Sequence, residues 1–250
     1  MGIADRDYVR QDPRGGYGAS FGGGPKNWSV TTWLLVLNIG IFVLDAVLRV
    51  NTPYGPVGLL FIWGFFSYET AVEGLQLWRW ITFQFLHGGL GHIFGNMIGL
   101  YFFGAIIENY LGSRRFLAFY LLCGIAGPVA YLLISALGIL NIAPSTPLIG
   151  ASAGVYGILI AAARMAPNAR VQLLFPPVEL TLKTMAWILL GIALFTTFTR
   201  GQNAGGEAAH LGGAALGFLL ITYPHLLDFA GKFGKKQKQV KQPGYMKYRE

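Results

Sequence analysis

Six stretches of this chain are each close to the ~20 apolar residues that a helix needs to cross a bilayer, and they restrict the possible folds more than any other feature. They run over residues 28–48, 90–109, 115–137, 147–165, 180–199 and 205–223. The fifth follows Pro176 and Pro177 and carries Lys183 near its start, so its inner boundary is the least sharply marked. Composition agrees: 54% of residues are hydrophobic and 12% charged, where a soluble domain has about 25% charged. The 35 glycines lie within apolar stretches without a G-X-Y period, which excludes a collagen-like or disordered chain. A crossing segment must pair its own backbone groups, so the expected fold is an all-α polytopic membrane protein with six transmembrane helices.

Basic residues accumulate on the cytoplasmic side of short loops. With the N-terminus inside, 16 of the 19 Lys and Arg residues fall on that side, leaving Arg49, Arg79 and Arg200 outside. Both termini are therefore expected in the cytoplasm. The split accounts for the net charge of +8 without a nucleic-acid partner; membrane lipids are the expected surroundings, and the basic tail can touch anionic headgroups. Residues 1–27 then form a flexible cytoplasmic tail, 28–227 the membrane domain and 228–250 a basic cytoplasmic tail. The opening stretch lacks the apolar core of a signal peptide, and Arg6 breaks the myristoylation pattern. The location expected is a multi-pass integral membrane protein, in the cytoplasmic membrane if the source is prokaryotic. The outer loop, residues 49–86, carries Trp63, Trp78 and Trp80 and suits the membrane interface.

With this topology the second, fourth and sixth segments all enter from outside, and each carries polar residues early. His92 and Asn96, four apart, share one helix face. Ser152 follows Pro147 by five residues, and His210 lies early in the sixth segment. At 1.5 Å per residue these groups sit at one depth, on the order of 10 Å below the outer edge. Gly150, Gly154 and Gly157 clear the surroundings of Ser152, while Gly213 and Gly217 share a stripe with His210, and small residues so spaced let membrane helices approach closely. Such a crossing brings the Ser152 hydroxyl within reach of the His210 imidazole, the pairing of a nucleophile with its general base. A position close to the start of its helix gives Ser152 backbone N–H groups suited to an oxyanion, and His92 and Asn96 can supply further donors. The nearest acid, Glu207, is expected to face the outside water.

These residues resemble the rhomboid family of six-span intramembrane serine proteases, over roughly residues 28–227. The resemblance is carried by His87 just before the second segment with His92 and Asn96 in it, by Gly150, Ala151 and Ser152 with Tyr156 in the fourth, and by Ala209, His210, Gly213 and Gly217 in the sixth. Trp78 with Arg79, and Glu108 with Gly112, match further motifs of that family. It implies a catalytic Ser152–His210 dyad without an acid, an oxyanion hole from the Ser152 N–H with His92 and Asn96, and Tyr156 packed on the His210 ring. The implied substrates are transmembrane segments of other proteins, cut near the outer side, with no cofactor and no metal. The family usually has glycine after the serine; this chain has Ala153, whose methyl is expected to tighten the site or slow it.

Other chemistries fit less well. A zinc protease needs H-E-x-x-H, and His87 to His92 has neither that spacing nor the glutamate. The segments offer no facing pair of carboxylates for an aspartyl site. The lone Cys123 excludes an internal disulfide or a cysteine-based zinc cluster and reads as a buried thiol. A transporter predicts broken helices in two related halves. An inactive rhomboid-like protein that binds membrane clients is the other alternative, and an intact Ser152 and His210 argue against it.

Overall fold

The computed structural model describes residues 25–53, 55–173 and 177–231, so the expectations for residues 1–24 and 232–250 lie outside the described residues. Helix α1, Val30–Val47, starts at Ser29, whose hydroxyl accepts from the Thr32 N–H. The buried Glu108 carboxylate completes this cap: it accepts from the Val30 and Thr31 N–H groups at 2.8 Å each, the Thr31 hydroxyl at 2.7 Å and the Ser113 hydroxyl at 2.6 Å. A negative group at a helix start meets its unpaired donors and its dipole. One carboxylate thereby ties α1 to the helical hairpin that turns at Gly112.

An antiparallel ribbon, β1 (Arg49–Thr52) with β2 (Gly55–Gly58), follows α1 and leads into the short helix α2, Leu59–Gly64. The loop then folds around Arg79, which donates to the Phe65 carbonyl at 2.6 Å, the Ile62 carbonyl at 2.9 Å and Gln76 Oε1 at 2.6 Å. Arg79 thus caps the end of α2, with its guanidinium 4.7 Å from the Phe65 ring centre. Trp63 and Trp78 remain exposed, while Trp80 meets Phe66 edge-on at 4.9 Å.

Helix α3, Leu90–Leu111, widens into a π-type turn over Leu100–Gly104. Gly112, at φ +80°, reverses the chain so that α4, Ser113–Ala136, begins at once. Helix α5 is Ser152–Met165; a second antiparallel ribbon, β3 (Arg170–Gln172) with β4 (Glu179–Thr181), leads to α6, Leu182–Phe198, and α7 is Ala204–Thr222. The chain is mostly helical as expected, and the two ribbons are an addition: both lie in loops between apolar segments, where patterning by span length is blind to a short hairpin.

Four helices, α1, α3, α4 and α7, are long and apolar enough to cross a bilayer, and α5 and α6 are apolar but shorter, at 14 and 17 residues. The apolar surface is turned outward. Ile39, Val43 and Leu44 of α1 and Trp187, Phe195 and Phe198 of α6 are all exposed, as suits a chain solvated by lipid rather than water. The chain is an integral membrane protein.

The fourth segment departs from its expected course. The helix begins at Ser152, and residues 147–151 are not helical. Leu148 instead pairs with Phe66 in both directions, at 2.7 and 3.0 Å, and the Gly150 N–H donates to the Phe83 carbonyl at 2.9 Å. Pro147 has no N–H to give a helix, and Gly150 at φ +123° lies in a conformation that favours glycine. A non-helical approach segment therefore leads into Ser152.

Helices α4, α5 and α7 form the interior, where Phe116, Phe119, Tyr120, Cys123 and Ile158 are fully buried. The crossing of α5 and α7 is backbone on backbone. A Cβ at Gly213 would strike the Ala153 carbonyl, and one at Gly217 would strike Gly157. Only glycine permits this approach.

Candidate active site

Ser152 occupies the first position of α5, where its Oγ is free to leave the helix. It meets His210, in the second turn of α7, at 2.7 Å from Oγ to Nε2. The aromatic ring of Tyr156, one turn along α5, stacks on the imidazole with centroids 4.2 Å apart and planes inclined by 14°. Serine, histidine and tyrosine thus come from two helices whose spacing the glycine contacts set.

The other ring nitrogen of His210 has a partner. Nδ1 lies 2.9 Å from Glu207 Oε2, and the two side chains are only 13% and 16% exposed. The expectation that Glu207 faces outside water is therefore corrected. Helix α7 starts at Ala204 after Asn203 in the left-handed region, which puts Glu207 and His210 three apart on one face of the first turns. A carboxylate on the first turn also faces the positive helix end.

His92 and Asn96 line the same cavity as Ser152 and His210. The His92 Nδ1 accepts from the Gly88 N–H at 3.2 Å, so its proton resides on Nε2. That nitrogen is packed against Gly150, where an added Cβ would approach it to 2.7 Å. Gly150 thus makes room for a donor beside the serine. The Asn96 Nδ2 donates to the His92 carbonyl at 2.9 Å, which occupies one amide hydrogen and leaves the second.

The Ala153 methyl packs against α4: a Cβ at Gly127 would come within 2.8 Å of it, so glycine at 127 leaves room for this methyl. His87 is buried, and its ring centre lies 5.0 Å from that of His92. Burial, followed by the neighbouring His92, pushes the His87 imidazole down to about 4.

The cavity measures about 880 Å³ and brings together Gly150, Ser152, Tyr156, His92, Asn96 and His210, while Gly213 and Gly217 serve the helix crossing beneath it. It continues along an apolar flank lined by Gly99 and Phe103 of α3, Val155 and Leu159 of α5, and Met185 and Leu189 of α6. Among the described residues, no group of three or more His, Cys, Asp or Glu side chains is placed to hold a metal ion. The chemistry available is a hydroxyl beside an imidazole, with hydrogen-bond donors on the opposite wall. Sequence reasoning missed the Glu207 contact; its signal was an acid three residues before a histidine at a helix start.

Comparison with known proteins supplies the context. The family model described as the Rhomboid domain matches residues 74–225. RHOMBOID-like protein 12, mitochondrial, of Arabidopsis thaliana is 33% identical over 77% of this chain and 60% of its own length. Presenilin-associated rhomboid-like protein, mitochondrial, of Mus musculus is 35% identical over 57% of this chain and 37% of its own. Rhomboid-like protease 3 of Toxoplasma gondii is 27% identical over 76% and 67%. The chain thus spans less than two thirds of the first two relatives.

Proposed function

The chain belongs to the rhomboid family, and from that premise we propose that it is an intramembrane serine endopeptidase that cleaves transmembrane segments of other membrane proteins. The observation that carries this reading is the 2.7 Å contact between the Ser152 Oγ and the His210 Nε2 inside a cavity open to an apolar flank. His210 accepts the hydroxyl proton while the Ser152 oxygen attacks a peptide carbonyl. The carbonyl oxygen becomes an oxyanion, met by first-turn N–H groups of α5, the Nε2–H of His92 and the second amide hydrogen of Asn96. The proton then passes to the leaving amine, and water releases the acyl group by the same steps.

In this reading the six apolar helices cross the bilayer with both termini in the cytoplasm, and residues 28–227 form the membrane domain flanked by two tails. The site then lies near the outer side. A transmembrane substrate hides its carbonyls in helical hydrogen bonds, so it must open locally before attack. Glycine, about 1 kcal/mol worse than alanine in a helix, and proline, about 3, make opening easier. The substrates are single-span proteins with Gly or Pro near the outer boundary, and the glycine-lined site favours a small residue before the cut.

The reading is tested by incubating the purified protein with single-span substrates in liposomes and mapping product masses. It expects one cut within the first outer turns, abolished by Ser152→Ala and weakened when the substrate's Gly or Pro becomes Leu. Efficient cutting of a uniform poly-Leu span, or a cut at the inner end, contradicts it.

A further inference from the structure

Resting on the protease reading above, we infer that Glu207 is a positioning residue for His210, so that Ser152, His210 and Glu207 act as a hydrogen-bonded triad rather than an isolated pair. Three observations carry this. The carboxylate oxygen lies 2.9 Å from Nδ1 while the serine oxygen lies 2.7 Å from Nε2, so the imidazole is held at both ends. Both side chains are largely removed from solvent, at 13% and 16% exposure. Tyr156 covers one face of the ring at 4.2 Å, leaving the in-plane hydrogen bonds to set its rotation.

The chemistry follows from what each group can donate. An ionised carboxylate only accepts, so Nδ1 carries the imidazole proton and Nε2 presents its lone pair to the Ser152 hydroxyl. Without that acceptor the ring is free to place its proton on Nε2, where it blocks the reaction. As the Oγ–C bond forms, the carbonyl electron pair moves to oxygen and the hydroxyl proton moves to Nε2. The ring now bears a proton on each nitrogen, and Glu207 faces the new positive charge while the Nδ1 proton stays in place. The Nε2 proton next goes to the leaving amine as the C–N bond breaks. A water molecule gives a proton to Nε2 as its oxygen attacks the acyl carbon; the C–Oγ bond then breaks, Oγ takes the Nε2 proton, and the new C-terminal acid leaves with Ser152 regenerated.

A carboxylate present only for the helix end would touch none of these steps, and three measurements separate the cases. The first is steady-state cleavage by Glu207→Gln and Glu207→Ala: kcat falls by about 10²-fold or more with KM within about two-fold, and Glu207→Asp recovers part of the loss. The second is the proton spectrum of folded Ser152→Ala protein in detergent, which shows a far-downfield Nδ1–H resonance that disappears when Glu207→Ala is added. The third is fluorophosphonate labelling of Ser152, which reports on the nucleophile alone. Wild-type protein that labels and cleaves while both Glu207 variants keep kcat within about two-fold overturns the inference and leaves the two-residue reading intact. Absence of the downfield resonance in folded Ser152→Ala protein overturns it independently of turnover. Wild-type protein that neither labels nor cleaves overturns the protease reading itself, and this inference with it.

Discussion

Gly213 of α7 rests on the carbonyl of Ala153 of α5, one residue beyond Ser152 and three beyond His210. That backbone contact sets the separation at which the two functional side chains meet at 2.7 Å. A side chain at 213 has no soft neighbour to displace, because the obstacle is peptide.

Gly213→Val should therefore push the helices apart. Overpacking of this kind costs about 1–3 kcal/mol, and we expect a lowered unfolding temperature in detergent together with a loss of at least tenfold in cleavage. Gly191→Ala is the matched control: nothing lies within 4 Å of its added methyl, so stability should stay level or rise. Equal damage from both would remove the crossing contact from the account.

Tyr156 contributes its ring rather than its hydroxyl to the stack on His210. Tyr156→Phe should retain cleavage within about two-fold, whereas Tyr156→Ala should lose about tenfold, since a stacked pair is worth about 0.5–1.5 kcal/mol. A large defect in the Phe variant would mean that the hydroxyl acts in the reaction.

Arg79 holds the loop between α1 and α3 through three acceptors, two of them carbonyls at the end of α2. Arg79→Ala removes the donor from these part-buried acceptors, and each lost bond costs about 0.5–1.5 kcal/mol. Arg79→Lys should recover little, because an ammonium lacks the planar fork that reaches Phe65, Ile62 and Gln76 together. Thermal unfolding of the two variants checks this; a lysine variant as stable as wild type refutes the geometric part.

His87 gives stability a pH dependence. Its folded-state value is near 4 and the ordinary value 6.5, so as pH falls the unfolded chain binds this proton first. The contribution is full above pH 6.5 and is lost as pH drops from 6.5 through 4, by about 3 kcal/mol in total. The unfolding midpoint of wild type should fall over that interval, and His87→Phe should flatten the slope. An unchanged slope in the variant assigns the effect to other groups.

How far these features could be read in advance depended on their range along the chain. Segments of uniform hydropathy are local, so the helices over Val30–Val47 and Ser113–Ala136 were legible to within a few residues. His92 and Asn96 were legible as a pair because four residues make one helical turn, and the glycines at 213 and 217 announced a close crossing. The helical start at Ser152 was not, because it depends on pairing of Leu148 and Gly150 with Phe66 and Phe83, more than sixty residues away. Glu207 was misplaced for a different reason. Its spacing from His210 was visible, but an acid in a first turn can extend toward water or along the helix, and the choice depends on the packing of α7 against α5.

The central claim is that Ser152 is a nucleophile activated by His210, and covalent labelling with a fluorophosphonate followed by peptide mapping tests it most directly. The account predicts a single adduct on Ser152 in the wild-type protein, none in Ser152→Ala, and loss of labelling in folded His210→Ala. An adduct elsewhere, or labelling of Ser152 that persists undiminished without His210, would contradict it.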